Sequence, residues 1–539
     1  MDRKWYISAG ELILQDKHTY QAITSFDVNS IRNELILILH KFEHVRFKNG
    51  TDPKYGTWRH EHMFNILKNH ITHQTPLAQI LLEPFLDPDS FQTCRGYFLP
   101  KLHKYDIPFP INPILTPGRT PPMRPICASI GWITYAVSVL LDILLKPLMF
   151  KLNSYIMNSA GVAKHLNALE FPTDCALLAA DVDSLYPSID ITRGLDAINQ
   201  ALLEWGATPK DREFTIFLLR WVLFNNILEF NNQLYLQIRG TAMGTPCAVV
   251  FACIFMGMLE RRALHSIYPI VPLYYKRFID DILVIMASLQ DCEILKQALN
   301  TRDPLIKVTG LPSLQSTNFL DLIIYKDPDF ERTHKHDLDL YQKPSNKFLF
   351  LPPSSEHAHH VPQGWITGYI RRIRTNCTRE PNYNKRRDEF WEQLTARGFR
   401  SDNLRKYFQY NPSRTRILNT VRLSPKPQDV PNTVPLLFKL RMSTRTTHIL
   451  KELKHALKVY PDNHPNRTFG NPQLRDIFQN RQRPIICFRN SKNIGSRLIS
   501  ARIPPIKPAN LHHNGPQLSN PKMSEYTHGY FQARFTNRR

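Results

Sequence analysis

The chain has no Cys-x-x-Cys pair. Its eight cysteines, at 94, 127, 175, 247, 253, 292, 377 and 487, are scattered. That argues against a zinc ribbon and a disulfide framework, and it points to a reducing compartment. Met1 to Gly10 lacks the apolar stretch of a signal peptide. Long uncharged apolar runs are missing too. The most apolar segment, Gly131 to Phe150, is interrupted by Asp142 and Lys146, so it is expected as a buried helix and not as a membrane span. No internal repeat is visible. Acidic residues are in deficit: 46 Asp and Glu against 69 Lys and Arg leave a net charge of +23 and a pI near 9.6. This balance suits a polyanionic partner, although a generally basic protein would look the same. With 539 residues, 42% of them hydrophobic, the chain is too long for one ordinary core, and a multi-lobed protein is expected.

What the sequence does hold is Asp280-Asp281, a pair of adjacent carboxylates inside the run Tyr274 to Ile285. β-branched and aromatic residues on both sides read as a β-hairpin with the acids at or beside its turn. Two neighbouring acids repel, and a fold tolerates them where a cation sits between them. A hard divalent ion such as Mg²⁺, which takes oxygen ligands, is the candidate. A solvated turn looks similar, so the pair becomes informative only with a third carboxylate at another strand's end.

Asp181 is that carboxylate. Ala176 to Val182 is an apolar run with an acid near its end, as in a buried strand that reaches the edge of a sheet. Asp183 to Ile189 reads as the following turn. A helix then starts near Asp190 or Thr192, either of which can cap it, with Leu195, Ile198 and Leu202 as its apolar stripe. Ile227 to Ile238 reads as a hairpin turning at Asn231-Asn232. It runs through Arg239 to Pro246, where Gly240 and Gly244 let the backbone bend and a flat partner approach, into an apolar helix from Ala248 to Leu259. Asn318 to Tyr325 reads as one more strand. Upstream, Gly96 to Lys104 and Arg124 to Cys127 are basic extended pieces joined by a Pro-rich connector, the pattern of strands joined by a rigid loop. Lys101 and Arg124 are candidates to meet phosphates there, or simply solvated cations.

A strand ending in Asp181, a Gly-rich turn into a helix, and an Asp-Asp hairpin about a hundred residues after Asp181 form the set that nucleotidyl transfer by two metal ions requires. One ion lowers the pKa of a primer 3′-OH, and both stabilise charge on the α-phosphate and its leaving group. In that scheme Asp181 and Asp280 bridge the ions, Asp281 is the auxiliary ligand, and the Val182 backbone carbonyl supplies a further oxygen.

The segments LPKLHK (Leu99–Lys104), RPI (Arg124–Ile126), DVDSLYPSI (Asp181–Ile189), GTAMGTP (Gly240–Pro246), RFIDD (Arg277–Asp281) and FLDLIIY (Phe319–Tyr325) resemble the successive motifs of reverse transcriptases, specifically those of Penelope-like retroelements. YQKP (Tyr341–Pro344), His359–Cys377 and Arg483–Ile503 resemble the region after the palm in that family, so the likeness spans roughly 90 to 505. The resemblance implies an α+β right-hand polymerase with fingers, palm and thumb, its antiparallel palm sheet packed on helices. It implies RNA-directed DNA synthesis from dNTPs with Mg²⁺ or Mn²⁺, on an RNA template with a DNA primer or an RNA–DNA hybrid. The enzyme would be made in the cytoplasm and act in the nucleus. By this likeness Asp181, Asp280 and Asp281, with Val182, form the metal site, and Lys101, Arg124, Tyr186 and Gly244 meet the nucleotide. Gly240, Thr245 and Pro246 face template and nascent pair, and Phe319, Leu320 and Asp321 grip the primer end. In this family an aromatic five residues after the first Asp blocks the 2′-OH of a ribonucleotide, where RNA-copying polymerases carry an acid. Tyr186 therefore implies a DNA product, with a plain core aromatic as the other reading.

The expected organisation is an N-terminal extension (1–90), fingers and palm (91–330), a thumb-like helical region (331–430), a basic C-terminal region (431–505) and a disordered basic tail (506–539). Many Penelope-like proteins carry a GIY-YIG endonuclease, and no such domain is expected here, because Gly368-Tyr369-Ile370 falls within the thumb-like region. After Asp476 the only acid is Glu525, against eleven Lys or Arg, which leaves no carboxylate cluster for a ribonuclease H. His357, His359 and His360 are too crowded for a zinc site. Lys385-Arg386-Arg387 reads as a solvated helix face or a nuclear-import signal. A telomerase-like or RNA-copying polymerase and a non-catalytic nucleic-acid-binding remnant stay open beside the main reading.

Overall fold

The computed structural model describes residues 3–42, 93–101, 123–344, 346–355, 357, 360–423, 437–441 and 485–489. Leu102 to Lys104, most of Arg483–Ile503, His359 and the expected tail lie outside the described residues. The chain divides into two compact units, Met1–Phe350 with Thr367–Lys426, and Leu351–Ile366 with Pro427–Arg539. In the second, Leu437–Arg441 and Ile485–Arg489 form a two-stranded parallel pair.

The first unit mixes helices with antiparallel and mixed sheets. Its strands begin with β1 (Tyr20–Ile23), β2 (Cys94–Pro100), β3 (Met123–Ala128) and β4 (Ala176–Val182). There follow β5 (Ile227–Phe230), β6 (Gln233–Gln237), β7 (Tyr274–Phe278) and β8 (Asp281–Met286). The last are β9 (Val308–Thr309), β10 (Pro312–Ser313), β11 (Ser316–Phe319), β12 (Leu322–Tyr325) and β13 (Asp337–Leu340). One five-stranded sheet runs β1-β6-β5-β2-β3, antiparallel except for the parallel β2–β5 pair. A second runs β10-β4-β8-β7 with β9 on β4, all antiparallel. The third is the antiparallel meander β11-β12-β13.

The second sheet explains why Ala176–Val182 reads as unbroken apolar sequence. Side chains alternate between the faces of a strand, and both faces of β4 and β8 are covered. Leu178, Ala180, Val182, Ile282 and Val284 enter one core. Leu177, Leu283 and Ile285 enter another, which they share with Phe319, Leu322, Ile324 and Leu338 of the third sheet. Helices Tyr135–Phe150, Ile191–Glu204, Pro209–Phe224 and Ala248–Ser266 supply the first core. A sheet sandwiched this way has few places for polar side chains except at strand ends, where the acids stand.

Local signals account for most boundaries. Asp190 caps Ile191–Glu204, its carboxylate accepting the Arg193 N–H at 2.9 Å. Asn231 and Asn232 sit at φ 49° and 62°, the two positive φ values of a type I′ hairpin turn. The helix expected from Ala248 to Leu259 runs on to Ser266. The charged Glu260-Arg261 looks like a helix end, yet Glu260 is buried against Arg277 and Arg261 pairs with Glu204 at 2.6 Å. The helix expected from Gly131 begins at Tyr135, after a turn in which the Trp132 N–H donates to Ser129 O at 3.0 Å. Asn318 to Tyr325 is not one strand. It is β11, a turn at Leu320-Asp321 with Leu320 at φ 53°, and β12. β11 is polar except for Phe319 and β12 is apolar, and neither turn residue is a glycine or asparagine to mark the break. β1 was not anticipated, and it pairs along β6 from Tyr20–Gln237 to Ile23–Leu234.

Candidate active site

Asp181 is the penultimate residue of β4 and Asp281 the first of β8, and the two are register partners across the ladder. Asp280 is the second residue of the turn Ile279-Asp280, closed by the pair Phe278–Asp281. Ile279 sits at φ 59°, a left-handed conformation rare for a β-branched residue but suited to the first position of a tight hairpin turn. The Val182 N–H donates to Asp280 O at 3.1 Å, tying this turn to β4. One oxygen from each of the three carboxylates lies within 4.8 Å of the others, and all three residues are half-buried. Among the described residues no other group of three His, Cys, Asp or Glu is so placed.

Like charges facing each other across a ladder destabilise it. Burial, then Asp280 and Asp181, push the Asp281 carboxyl up from 3.8 to about 6, while Lys343 and Arg124 pull it down. Hard oxygen donors with mutually repelling charge fit Mg²⁺ or Mn²⁺. A pH dependence follows. The folded state holds the Asp281 proton more tightly than the unfolded chain, so the protein is penalised above about pH 6 and relieved as the pH falls toward 3.8. In chelator, Asp281→Asn is expected to melt higher than wild type at pH 7, and the gap is expected to close on acidification below about 5. A gap that stays constant with pH counts against the shift.

Arg124 lies on β3 opposite Leu99, and Lys101 directly follows β2, so both stand at one end of the same ladder. Arg124 is within electrostatic reach of Asp281, as is Lys343. Lys343 was missed as a site residue. It sits exposed just beyond β13, within the YQKP segment that resembles the region after the palm, and the fold brings it within electrostatic reach of Asp281.

Tyr186 lies in a short helical turn, Leu185–Ser188, after β4, and its ring is half-buried against the first core. Burial, Cys253 and Asp280 raise its hydroxyl, so the phenol stays neutral and close enough to sense Asp280. The glycine loop backs this turn. The Thr241 N–H donates to Tyr186 O at 3.0 Å, and Arg239 Nε donates to Pro187 O at 3.1 Å. Gly240, at φ 76°, is so close that a Cβ there would lie 2.1 Å from Tyr186 O. Gly244, at φ 114°, touches β3 in the same way, its missing Cβ 2.1 Å from Cys127 O, and the Cys127 N–H donates to Met243 O at 2.7 Å. Gly240 and Thr245 are buried, Pro246 is half-buried and Gly244 is exposed. Of these, Gly244 is the exposed one, although its carbonyl accepts Ser129 Oγ at 2.9 Å, while Gly240 and Thr245 are buried in protein.

The FLDLIIY segment divides as well. Phe319 is buried in the second core, and Leu320-Asp321 is the β11–β12 turn. The Asp321 carboxylate accepts Arg372 Nε at 2.5 Å and Asn376 Nδ2 at 3.0 Å, and its carbonyl accepts the Tyr341 N–H at 2.9 Å. Asp321 thus fastens the segment leading to Lys343. Of the basic triplet, Arg386 donates to Asp339 at 2.7 Å, and Arg387 donates to the Phe408 carbonyl. Both are structural contacts.

No protein-family model and no curated protein matches the chain. Solved structures similar to it include telomerase from Candida albicans in complex with a TWJ fragment of telomeric RNA. That likeness has 11% identity and a TM-score of 0.41, over 66% of this chain and 63% of that one. Apo telomerase from Candida tropicalis, truncated from its C-terminal domain, gives 10% identity and a TM-score of 0.35 over 49% and 59%. Candida tropicalis telomerase with the TWJ fragment gives 13% and 0.33 over 52% of each. The chain spans between about half and two thirds of the length of these structures, and likeness at this level assigns neither family nor activity.

Proposed function

We propose that the chain is an RNA-directed DNA polymerase of the right-hand type, serving a Penelope-like retroelement. The observation that carries this is the meeting of Asp181, Asp280 and Asp281 at one end of an antiparallel sheet, within 4.8 Å of one another, with Tyr186 beside them. The three carboxylates are the residues to hold divalent ions, which when bound supply positive charge at the primer 3′-oxygen and at the departing pyrophosphate. β4 and β8, buried on both faces, keep the carboxylates from drifting apart, and such pre-positioning lowers the barrier to an in-line displacement. Arg124 and Lys343 place positive charge on the approach to Asp281, where a triphosphate enters. The neutral ring of Tyr186, held from behind by Gly240, is a fixed wall that a 2′-OH would strike, so it selects dNTPs. The retroelement assignment rests on the ordered motifs, with RNA as template and a DNA primer or hybrid as partner. No described helix is long and apolar enough to cross a membrane.

Primer extension on an RNA template with dNTPs and Mg²⁺ or Mn²⁺ tests the reading. Wild type is expected to extend with dNTPs. Tyr186→Ala is expected to accept NTPs with discrimination reduced about a hundredfold, since removing a clash removes the element that rejects the competitor. A wild-type protein that binds the hybrid but extends it with neither metal sinks the polymerase assignment and leaves a binding remnant. Extension by wild type with NTPs as readily as dNTPs points to an RNA-copying polymerase.

A further inference from the structure

Arg277 is 2% exposed and its partner Glu260 is 4% exposed. The pair joins β7 to the helix Ala248–Ser266. Arg277 Nε donates to Glu260 Oε1 at 2.5 Å, and Nη2 reaches Glu260 Oε2 at 3.4 Å and Cys253 O at 2.9 Å. The remaining arm, Nη1, donates to Ile279 O at 2.8 Å, the carbonyl immediately before Asp280. Tyr275 completes the group, its hydroxyl donating to Glu260 Oε1 at 3.0 Å.

Stability does not explain such a pair, because well-packed apolar residues commonly do as well or better in its place. The turn does need holding. Ile279 is at φ 59°, which is costly for a β-branched residue. Mutual repulsion drives Asp280 away from Asp181 and Asp281. A turn free to relax would swing its carboxylate outward and relieve both.

We infer that the buried Arg277–Glu260 pair is the positioning device for Asp280, clamping the Ile279 carbonyl so that the three carboxylates stay close enough to share divalent cations. This rests on the polymerase reading only for what the cations are used for. Arg277 touches no reacting group and acts through Asp280. Only a planar fork with several donors bonds the turn, the helix carbonyl and Glu260 at once, so lysine is not an equivalent.

Mn²⁺ binding to the full chain without nucleic acid, followed by electron paramagnetic resonance, tests the clamp, with thermal melting as the folding control. Arg277→Met/Glu260→Met is expected to melt close to wild type while binding Mn²⁺ about 10–100-fold more weakly, the usual effect of losing a partner that orients a ligand. Arg277→Lys, which leaves Glu260 paired, is expected to weaken binding in the same sense. It also decides the matter should the double variant fail to fold. A folded variant with Mn²⁺ affinity within about twofold of wild type, against the expected loss, overturns the clamp, and so does a wild type that binds no Mn²⁺. A wild type that binds Mn²⁺ but never extends a primer overturns the polymerase reading and leaves the clamp standing.

Discussion

Asp280→Ala is expected to lower metal-dependent primer extension by about a thousandfold or more, the scale seen when one member of a catalytic unit is removed. The same substitution is expected to stabilise the metal-free protein. Asp280 is among the charges that push Asp281 up to about 6, so its removal relieves a repulsion of about 0.2–1 kcal/mol. An acid kept for structure does the opposite and costs stability when removed. Melting in chelator and extension in Mn²⁺ therefore form a paired test, with binding of the hybrid unchanged as the control. Asp280→Asn, which keeps the shape and discards the charge, is expected to follow Asp280→Ala in both. Retained extension in either variant removes Asp280 from the site. Lost extension accompanied by a lower melting temperature makes it a structural residue.

Gly240→Ala is expected to be strongly damaging for a single added methyl. The residue sits at φ 76°, and the added Cβ would lie 2.1 Å from Tyr186 O, 2.6 Å from Pro187 Cα and 2.9 Å from Pro187 C. All three are backbone atoms, so no side chain can rotate out of the way. The left-handed conformation and the overpacking together set an expected loss of about 2–5 kcal/mol. The Thr241–Tyr186 hydrogen bond holds the same turn, so parting the loop also displaces the Tyr186 ring. Protein that still folds is expected to discriminate poorly between dNTPs and NTPs. Gly368→Ala is the control. Nothing lies within 4 Å of a Cβ there, and alanine is favoured over glycine in a helix by about 1 kcal/mol, so its melting temperature is expected to hold or rise. Equal melting of Gly240→Ala and wild type would mean that the loop does not press on the Tyr186 turn.

Both predictions concern residues the sequence singled out, and the reason is local. An apolar run that ends in an acid, a hairpin interrupted by two acids, and a glycine pair before a helix each leave a mark within a few residues. The FLDLIIY segment shows where such marks fail. Leu320 continues the apolar residues around it and Asp321 is a lone acid with no glycine or proline beside it, so the usual turn signals are missing, and only the pairing of β11 with β12 reveals the turn. Lys343 and Glu260 are harder still. Lys343 stands in the YQKP segment and Glu260 near the end of an apolar helix, but neither setting names its partner, which the fold brings in from elsewhere in the chain.

By itself the sequence determined the chemistry on offer: three carboxylates, an aromatic five residues after the first of them, two glycines in one loop, and an excess of positive charge. These are properties of residue type and spacing, which no packing alters. Only the tertiary structure decided that Asp181 and Asp281 stand opposite each other, that Gly240 presses on Tyr186, and that Arg277 reaches from Glu260 to the turn beside Asp280. Those contacts join residues separated by 17 positions in the case of Arg277 and Glu260, and by a hundred in that of Asp181 and Asp281. Register and burial of whole sheets set distances of that kind, because a slip of β4 against β8 would exchange side chains between the two cores and move the paired acids out of line.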